Sequence, residues 1–178
     1  MNPPPDSLYI IRFEEILWGG LLMAITMAMH GTGMLLVLRT NHAINRWFES
    51  RKGFVAGLLP VIIATCMIML VHLVEVVVWS WFFIWKNVFP NRSVALYFSL
   101  NEYTTLGSNF NLPLQWRLLE GLIATTGLLT FAWSTGVLFT LAQAFQDQQM
   151  ARFKQRHQKR LSKSKARSEE EVNNSEKT

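Results

Sequence analysis

Three ionisable side chains stand inside apolar sequence, and their spacing suggests chemistry. His72 and Glu75 are three residues apart, so a helix would present both on one face. His30 lies in a separate apolar run, followed by Gly31-Thr32-Gly33, which allows another helix to approach closely. A charge at membrane depth is costly and needs a partner. Two imidazoles and a carboxylate could tie two helices together by hydrogen bonds. They could also ligate zinc, or take up and release protons near neutral pH. Three donors on two helices make a thin ligand set, so no bound metal is expected here.

A second stretch, "ALYFSLNEYTTLGSNF" (95–110), lies between two long apolar runs. Residues 95–103 read as a short helix, and Thr104-Thr105-Leu106-Gly107 as a polar turn after it. Non-helical backbone at membrane depth is tolerated only where it is buried in protein or lines a water-filled cavity. A helix going in and an extended chain coming out would meet that condition. Gly107 would let backbone carbonyls turn inward, and Thr105 could add a hydroxyl to the same row. An ordinary surface loop containing one glycine is the plainer alternative. Glu102 could sit behind the turn and take its N–H groups, add negative field, or be a solvated loop acid. Tyr103 marks the end of the short helix.

Charge segregation defines the elements that must position these residues. Positions 16–38 and 121–146 carry no Asp, Glu, Lys or Arg, and 53–85 carry only Glu75. Each gap exceeds the roughly 20 residues needed to cross a bilayer core. The expected fold is therefore all-α and integral to a membrane, with three transmembrane helices plus a re-entrant helix and loop. Acidic Glu14 and Glu15 before the first run, and its length, argue against a cleavable signal peptide. Trp79, Trp81 and Trp85 mark where the second run should leave the hydrocarbon. Small residues at Gly121, Ala124, Ala132, Ser134 and Gly136 suit close helix packing.

Arg39, Arg46, Arg51 and Lys52 follow the first run, and eight Lys or Arg fill 152–167. The positive-inside rule puts both segments in the cytoplasm of a cell membrane, with the N-terminus and 86–120 outside. The tail's basic block could continue the last helix and touch anionic headgroups. Beyond it an acidic, Asn- and Ser-rich end is expected to be largely disordered. Few aromatics interleave the basic residues, so no nucleic-acid partner is expected. No nucleophile elbow, zinc-protease motif, phosphate-binding loop or cysteine pair is present, which excludes the familiar enzyme classes. The chain reads as a non-enzyme.

The order of these parts resembles the pore domain of small prokaryotic pore-loop ion channels. "LVHLVEVVVWSWFF" (70–83), "ALYFSLNEYTTLG" (95–107) and "WRLLEGLIATTGLLTFAWSTGVLFTLAQ" (116–143) carry the resemblance. It implies a pore domain over 53–145: outer helix 53–85, pore helix 93–103, filter 104–109 and inner helix 117–145. Residues 16–38 form an added first helix after an external segment 1–15. Residues 39–52 are a cytoplasmic linker and 146–178 the tail.

Potassium filters read Thr-Val-Gly-Tyr-Gly, and relatives of this type read Thr-Leu-Gly-Tyr-Gly-Asp. Thr105, Leu106 and Gly107 agree, while Ser108, Asn109 and Phe110 replace the Tyr, Gly and Asp. The resemblance thus implies a filter of Thr104, Thr105, Leu106, Gly107, Ser108 and Asn109, supported by Glu102 and Tyr103. Its permeant ions would be potassium or sodium, passed with weak selectivity through a homotetramer. One alternative is a channel-like subunit or adaptor that no longer conducts. Another is a proton- or metal-coupled membrane protein built on His30, His72 and Glu75.

Overall fold

The computed structural model describes residues 9–48 and 54–175, with side chains described over 9–47 and 57–167. It is all-helical among these residues. The elements are α1 (Phe13–Phe48), α2 (Phe54–Trp85), α3 (Arg92–Tyr103), a single 3-10 turn (Leu114–Trp116) and α4 (Leu118–Ser175). Three of them, α1, α2 and α4, are long and apolar enough to cross a membrane.

Two boundaries differ from the sequence expectation. The first helix does not stop at residue 38 but runs to Phe48, taking in Arg39 and Arg46. No Gly or Pro interrupts residues 39–48, so nothing breaks the ladder. Arg51 and Lys52 of the expected linker, and Asp6 of the N-terminal segment, lie outside the described residues. The tail expected to be largely disordered instead continues α4 to Ser175. Residues 137–175 contain neither Gly nor Pro and are rich in Lys, Arg, Gln, Glu and Ala, which favour helix without any tertiary contact.

Burial is inverted relative to a water-soluble bundle. Leu35, Leu70, Leu73, Trp81 and Leu128 point outward, while Thr26, His30, Glu75, Thr126 and Thr130 are fully buried. Apolar side chains facing out and polar ones facing in is the arrangement a lipid surround requires. Two apolar clusters fill the bundle. One contains Leu22, Trp79, Phe83, Phe98, Trp116 and Ile123. The other, toward the opposite end, contains Met34, Val37, Ala64, Ile68 and Leu141. His30, His72, Glu75, Thr130 and Ser134 fall between them along every long helix.

The helix ends are closed by side chains from neighbouring elements. Glu15 is completely buried. Its carboxylate accepts from the Arg12 N–H at 3.0 Å, reciprocating the N-terminus of its own helix. It also accepts from the Leu118 N–H at the start of α4 (3.2 Å) and from the Tyr9 hydroxyl. One carboxylate thus satisfies two helix N-termini, where negative charge is favoured. Lys86, just beyond α2, lies 4.2 Å from the ring of Trp18 and 4.4 Å from that of Trp85. That fixes the cation over aromatic faces. At the other end, the Asn41 side-chain amide donates to the Pro60 carbonyl (3.1 Å) within α2. There Arg46 of α1 and Arg152 of α4 line one cavity of about 500 Å³.

α3 is capped by Asn91, whose side chain accepts from the Ser93 N–H at 2.8 Å. It buries Ala95, Phe98, Ser99 and Tyr103, a helical spacing directed at α2 and α4. Its approach to α4 depends on Gly127, where a Cβ would run into the Tyr103 carbonyl. Gly31 and Gly33 serve two helices: their added Cβ atoms would lie 3.2 Å from Trp133 of α4 and 2.8 Å from Val71 of α2. Gly121 and Gly136 face open space instead.

In an exposed helix interior, Gly→Ala is favourable by about 1 kcal/mol. At Gly127 the obstacle is backbone and cannot swing aside, and overpacking of that kind costs about 1–3 kcal/mol. Thermal unfolding of detergent-solubilised protein should therefore show a lower Tm for Gly127→Ala and an equal or higher one for Gly121→Ala.

Candidate functional site

The two constellations that looked separate in sequence meet at Tyr103. Its hydroxyl, at the last helical residue of α3, donates to Glu75 Oε2. The same oxygen lies 2.9 Å from His72 Nδ1 and 2.6 Å from Thr130 Oγ1. Glu75 Oε1 is 2.9 Å from His30 Nδ1. Ser134 Oγ bridges the two imidazoles, 2.9 Å from His72 Nε2 and 3.2 Å from His30 Nε2. All four helices contribute, and none of these residues is more than 7% exposed.

Each member is positioned by ordinary helical spacing. His72 and Glu75 sit on one face of α2, as expected. On α4, Thr126, Thr130 and Ser134 recur every four residues and form one buried polar stripe. That stripe was the missed signal. Ser134 could be read as bonding its own backbone, as Thr135 does to the Phe131 carbonyl (2.8 Å), but it faces inward to the imidazoles. Glu15 likewise looked like a flanking charge, and nothing in its local sequence foretells its contact with α4.

The ligand atoms of His30, His72 and Glu75 lie within 4.8 Å of one another, close enough in principle to enclose a cation. Each residue is already engaged by hydrogen bonds inside the cluster, however, so a cation would have to displace protons. The arrangement can tie α3 to the three long helices and can hold protons out of contact with water.

The turn after α3 departs from a simple filter geometry at its start. Thr104 caps the helix, with its N–H bonded to the Leu100 carbonyl. Thr105 N–H then bonds the Glu102 carbonyl (3.0 Å), and Leu106 N–H the Asn101 carbonyl (2.9 Å). These two bonds define a Schellman termination. The residue such a motif places in the left-handed region is Thr105, at φ 62°, where glycine is usual. Gly107 follows at φ 73°, and its N–H also reaches the Asn101 carbonyl (3.3 Å). The N–H groups of 105–107 are therefore directed back into α3. No backbone hydrogen bond among the described residues ends on the carbonyls of Thr105, Leu106 or Gly107, and these three residues are exposed in the single chain.

Ser108 and Phe110 brace the rest of the loop. The Ser108 hydroxyl donates to the Phe110 carbonyl at 2.9 Å, and the Phe110 ring meets Tyr97 of α3 edge-on at 6.4 Å. Asn109 is exposed. Glu102 lies beside Ser108 of the loop. Burial and the nearby Glu120 charge push its pKa above the usual carboxylate value. The loop returns to α4 through Leu112, whose N–H bonds Glu120 Oε1 at 2.8 Å.

Replacing Tyr103 by Phe keeps the ring and removes the hydroxyl that serves Glu75, His72 and Thr130 together. Leaving buried polar groups unpaired costs about 1–3 kcal/mol each, more for a charged one. Tyr103→Phe should thus lower Tm by several degrees, more than Thr104→Val at the adjacent half-buried cap. Differential scanning fluorimetry on both variants checks this.

Comparison of the chain with protein-family models, with curated proteins and with solved structures finds no match.

Proposed function

We propose that this chain is a subunit of a pore-loop cation channel, with residues 104–109 as its filter and α4 as its inner helix. The observation that carries the reading is the depth at which α3 ends. α3 begins at Arg92, shortly after α2 ends at Trp85, yet Tyr103 contacts Glu75, ten residues back along α2. At 1.5 Å per residue that is about 15 Å inward, matched by the ~18 Å length of α3. It also contacts Thr130, well inside α4. A short helix that runs inward and a loop that climbs back to the start of α4 together support a re-entrant pore loop.

The backbone of that loop supports the same reading. Its N–H groups are occupied by α3, which leaves carbonyl oxygens available to replace the water around a monovalent cation. One chain supplies one loop, so a pore needs several copies around an axis, and a homotetramer is the simplest assembly. Selectivity between potassium and sodium is weak in this reading. Ser108 has no ring to set the width of the outer mouth, and the Phe110–Tyr97 contact braces the loop two residues further on. The end of the bundle bearing Arg46 and Arg152 faces the cytoplasm. The outward basic face of α4 lies near anionic headgroups.

Purified protein in liposomes, given potassium and sodium gradients, should pass both ions. Gly107→Val forces a β-branched side chain into a left-handed position and should cut flux at least tenfold. Ser108→Tyr combined with Asn109→Gly should raise the potassium-to-sodium ratio. Absence of flux from a protein verified as a folded oligomer would replace this reading with that of a non-conducting subunit.

A further inference from the structure

The buried cluster closes on itself. Tyr103 Oη links to Glu75 Oε2, Glu75 Oε1 to His30 Nδ1, and His30 Nε2 to Ser134 Oγ. Ser134 Oγ links to His72 Nε2, and His72 Nδ1 returns to Tyr103 Oη. A ring of five hydrogen bonds needs five protons, one for each link. An ionised Glu75 brings none, while Tyr103, Ser134 and each neutral imidazole bring one. The ordinary ionisation states therefore supply four. Whichever tautomers are chosen, one link then sets lone pair against lone pair. With Tyr103 donating to Glu75, the choice of tautomers decides which of the other four links is left open, the His30 Nδ1–Glu75 Oε1 pair at 2.9 Å being one of them. The Thr130 hydroxyl cannot close it, because it lies on Tyr103 and between no two ring members.

We infer that this ring is an intramembrane proton-binding site, holding one extra proton shared between Glu75 and the imidazoles. The proton can sit on the imidazole beside a carboxylate, or on the carboxyl beside a neutral imidazole. Both forms leave the ring with no net charge. Its loss leaves one negative charge between two apolar clusters. The titratable groups facing the site are its own: His30 on α1, His72 and Glu75 on α2, and Tyr103 on α3. From α4 it meets the hydroxyls of Thr130 and Ser134 and the rings of Phe131 and Trp133. Among the described residues, no Lys or Arg pairs with Glu75. Because Tyr103 is also the last residue of α3, release of the proton loosens the anchor from which the 104–107 turn begins.

The count yields an unusual prediction for Glu75→Gln. An amide accepts from Tyr103 through its oxygen and donates to His30 Nδ1 through its nitrogen. It brings the fifth proton permanently, so the closed ring needs none from solvent. In the wild type the folded state holds a proton that the unfolded chain releases above the ordinary histidine value, near pH 6.5. Wild-type stability is then fully present below that pH and falls as pH rises. In full-length protein in lipid nanodiscs between pH 7 and 9.5, wild-type Tm should fall about 3–5 °C per pH unit relative to Glu75→Gln. Groups that titrate elsewhere affect both proteins alike. Parallel curves, or a Glu75→Gln protein that is weaker by the same amount at every pH, would overturn the inference.

Should Glu75→Gln fail to fold, nitrogen-15 spectra of histidine-labelled wild type at pH 7.5 decide the matter. His42 and His157 are assigned by His→Gln variants. One buried imidazole should carry protons on both nitrogens, or the carboxyl stretch of a protonated Glu75 should appear in the infrared. Two neutral buried imidazoles with an ionised Glu75, or a stoichiometric metal retained by the purified protein, would refute the site. None of these measurements reads ion flux, so the result stands apart from the channel assay.

Discussion

A carboxylate placed where no water can reach must find all its partners in the chain, and Glu75 imposes that requirement on this bundle. Its two oxygens face α1 through His30 and α3 through Tyr103. The second histidine extends the network to Ser134 of α4. An isolated buried charge is worth several kcal/mol against folding, and its removal from water is offset only when the geometry is complete. Completeness here requires four helices at one depth. The end of α3 is consequently held mid-way along the long helices, between the two apolar clusters, and the loop that follows inherits its position.

The same demand explains the helix ends. Every N–H or carbonyl left open by a terminus needs a partner where lipid offers none. Glu15 answers for both α1 and α4, Asn91 for α3, and the Schellman bonds for the far end of α3. The last solution has a conformational cost, since Thr105 occupies a left-handed conformation that disfavours side chains by about 1–2 kcal/mol. In return the N–H groups of the turn are fixed inward and its carbonyls are left without backbone partners. Strain of this kind tends to persist where the surrounding structure over-determines it, and here the anchored Tyr103 lies two residues before it.

Seen this way, the polar cluster and the loop are one mechanical unit. Tyr103 is both the donor that completes Glu75 and the terminus from which 104–107 departs. Gly127 allows that terminus to touch the α4 backbone. Ser108, Asn109 and Phe110 lie beyond the anchored part, where Phe110 meets Tyr97 of α3.

The three long apolar helices, the short helix at 95–103 and the placing of His72 and Glu75 on one helix face were legible from sequence, because each rests on local periodicity or on charge-free length. So was the close approach at Gly31 and Gly33, which small residues advertise. The extent of α1 past residue 38 and of α4 to Ser175 was less legible, since polar residues of high helix propensity look the same in a helix and in a linker. What no window of sequence contains is that Tyr103, Thr130 and Ser134 join His30, His72 and Glu75, or that Glu15 reaches Leu118. Those contacts span 27 to 104 residues. They exist only because a buried carboxylate in a water-poor interior selects, from all foldings of these helices, the one that brings its hydrogen-bond partners to it.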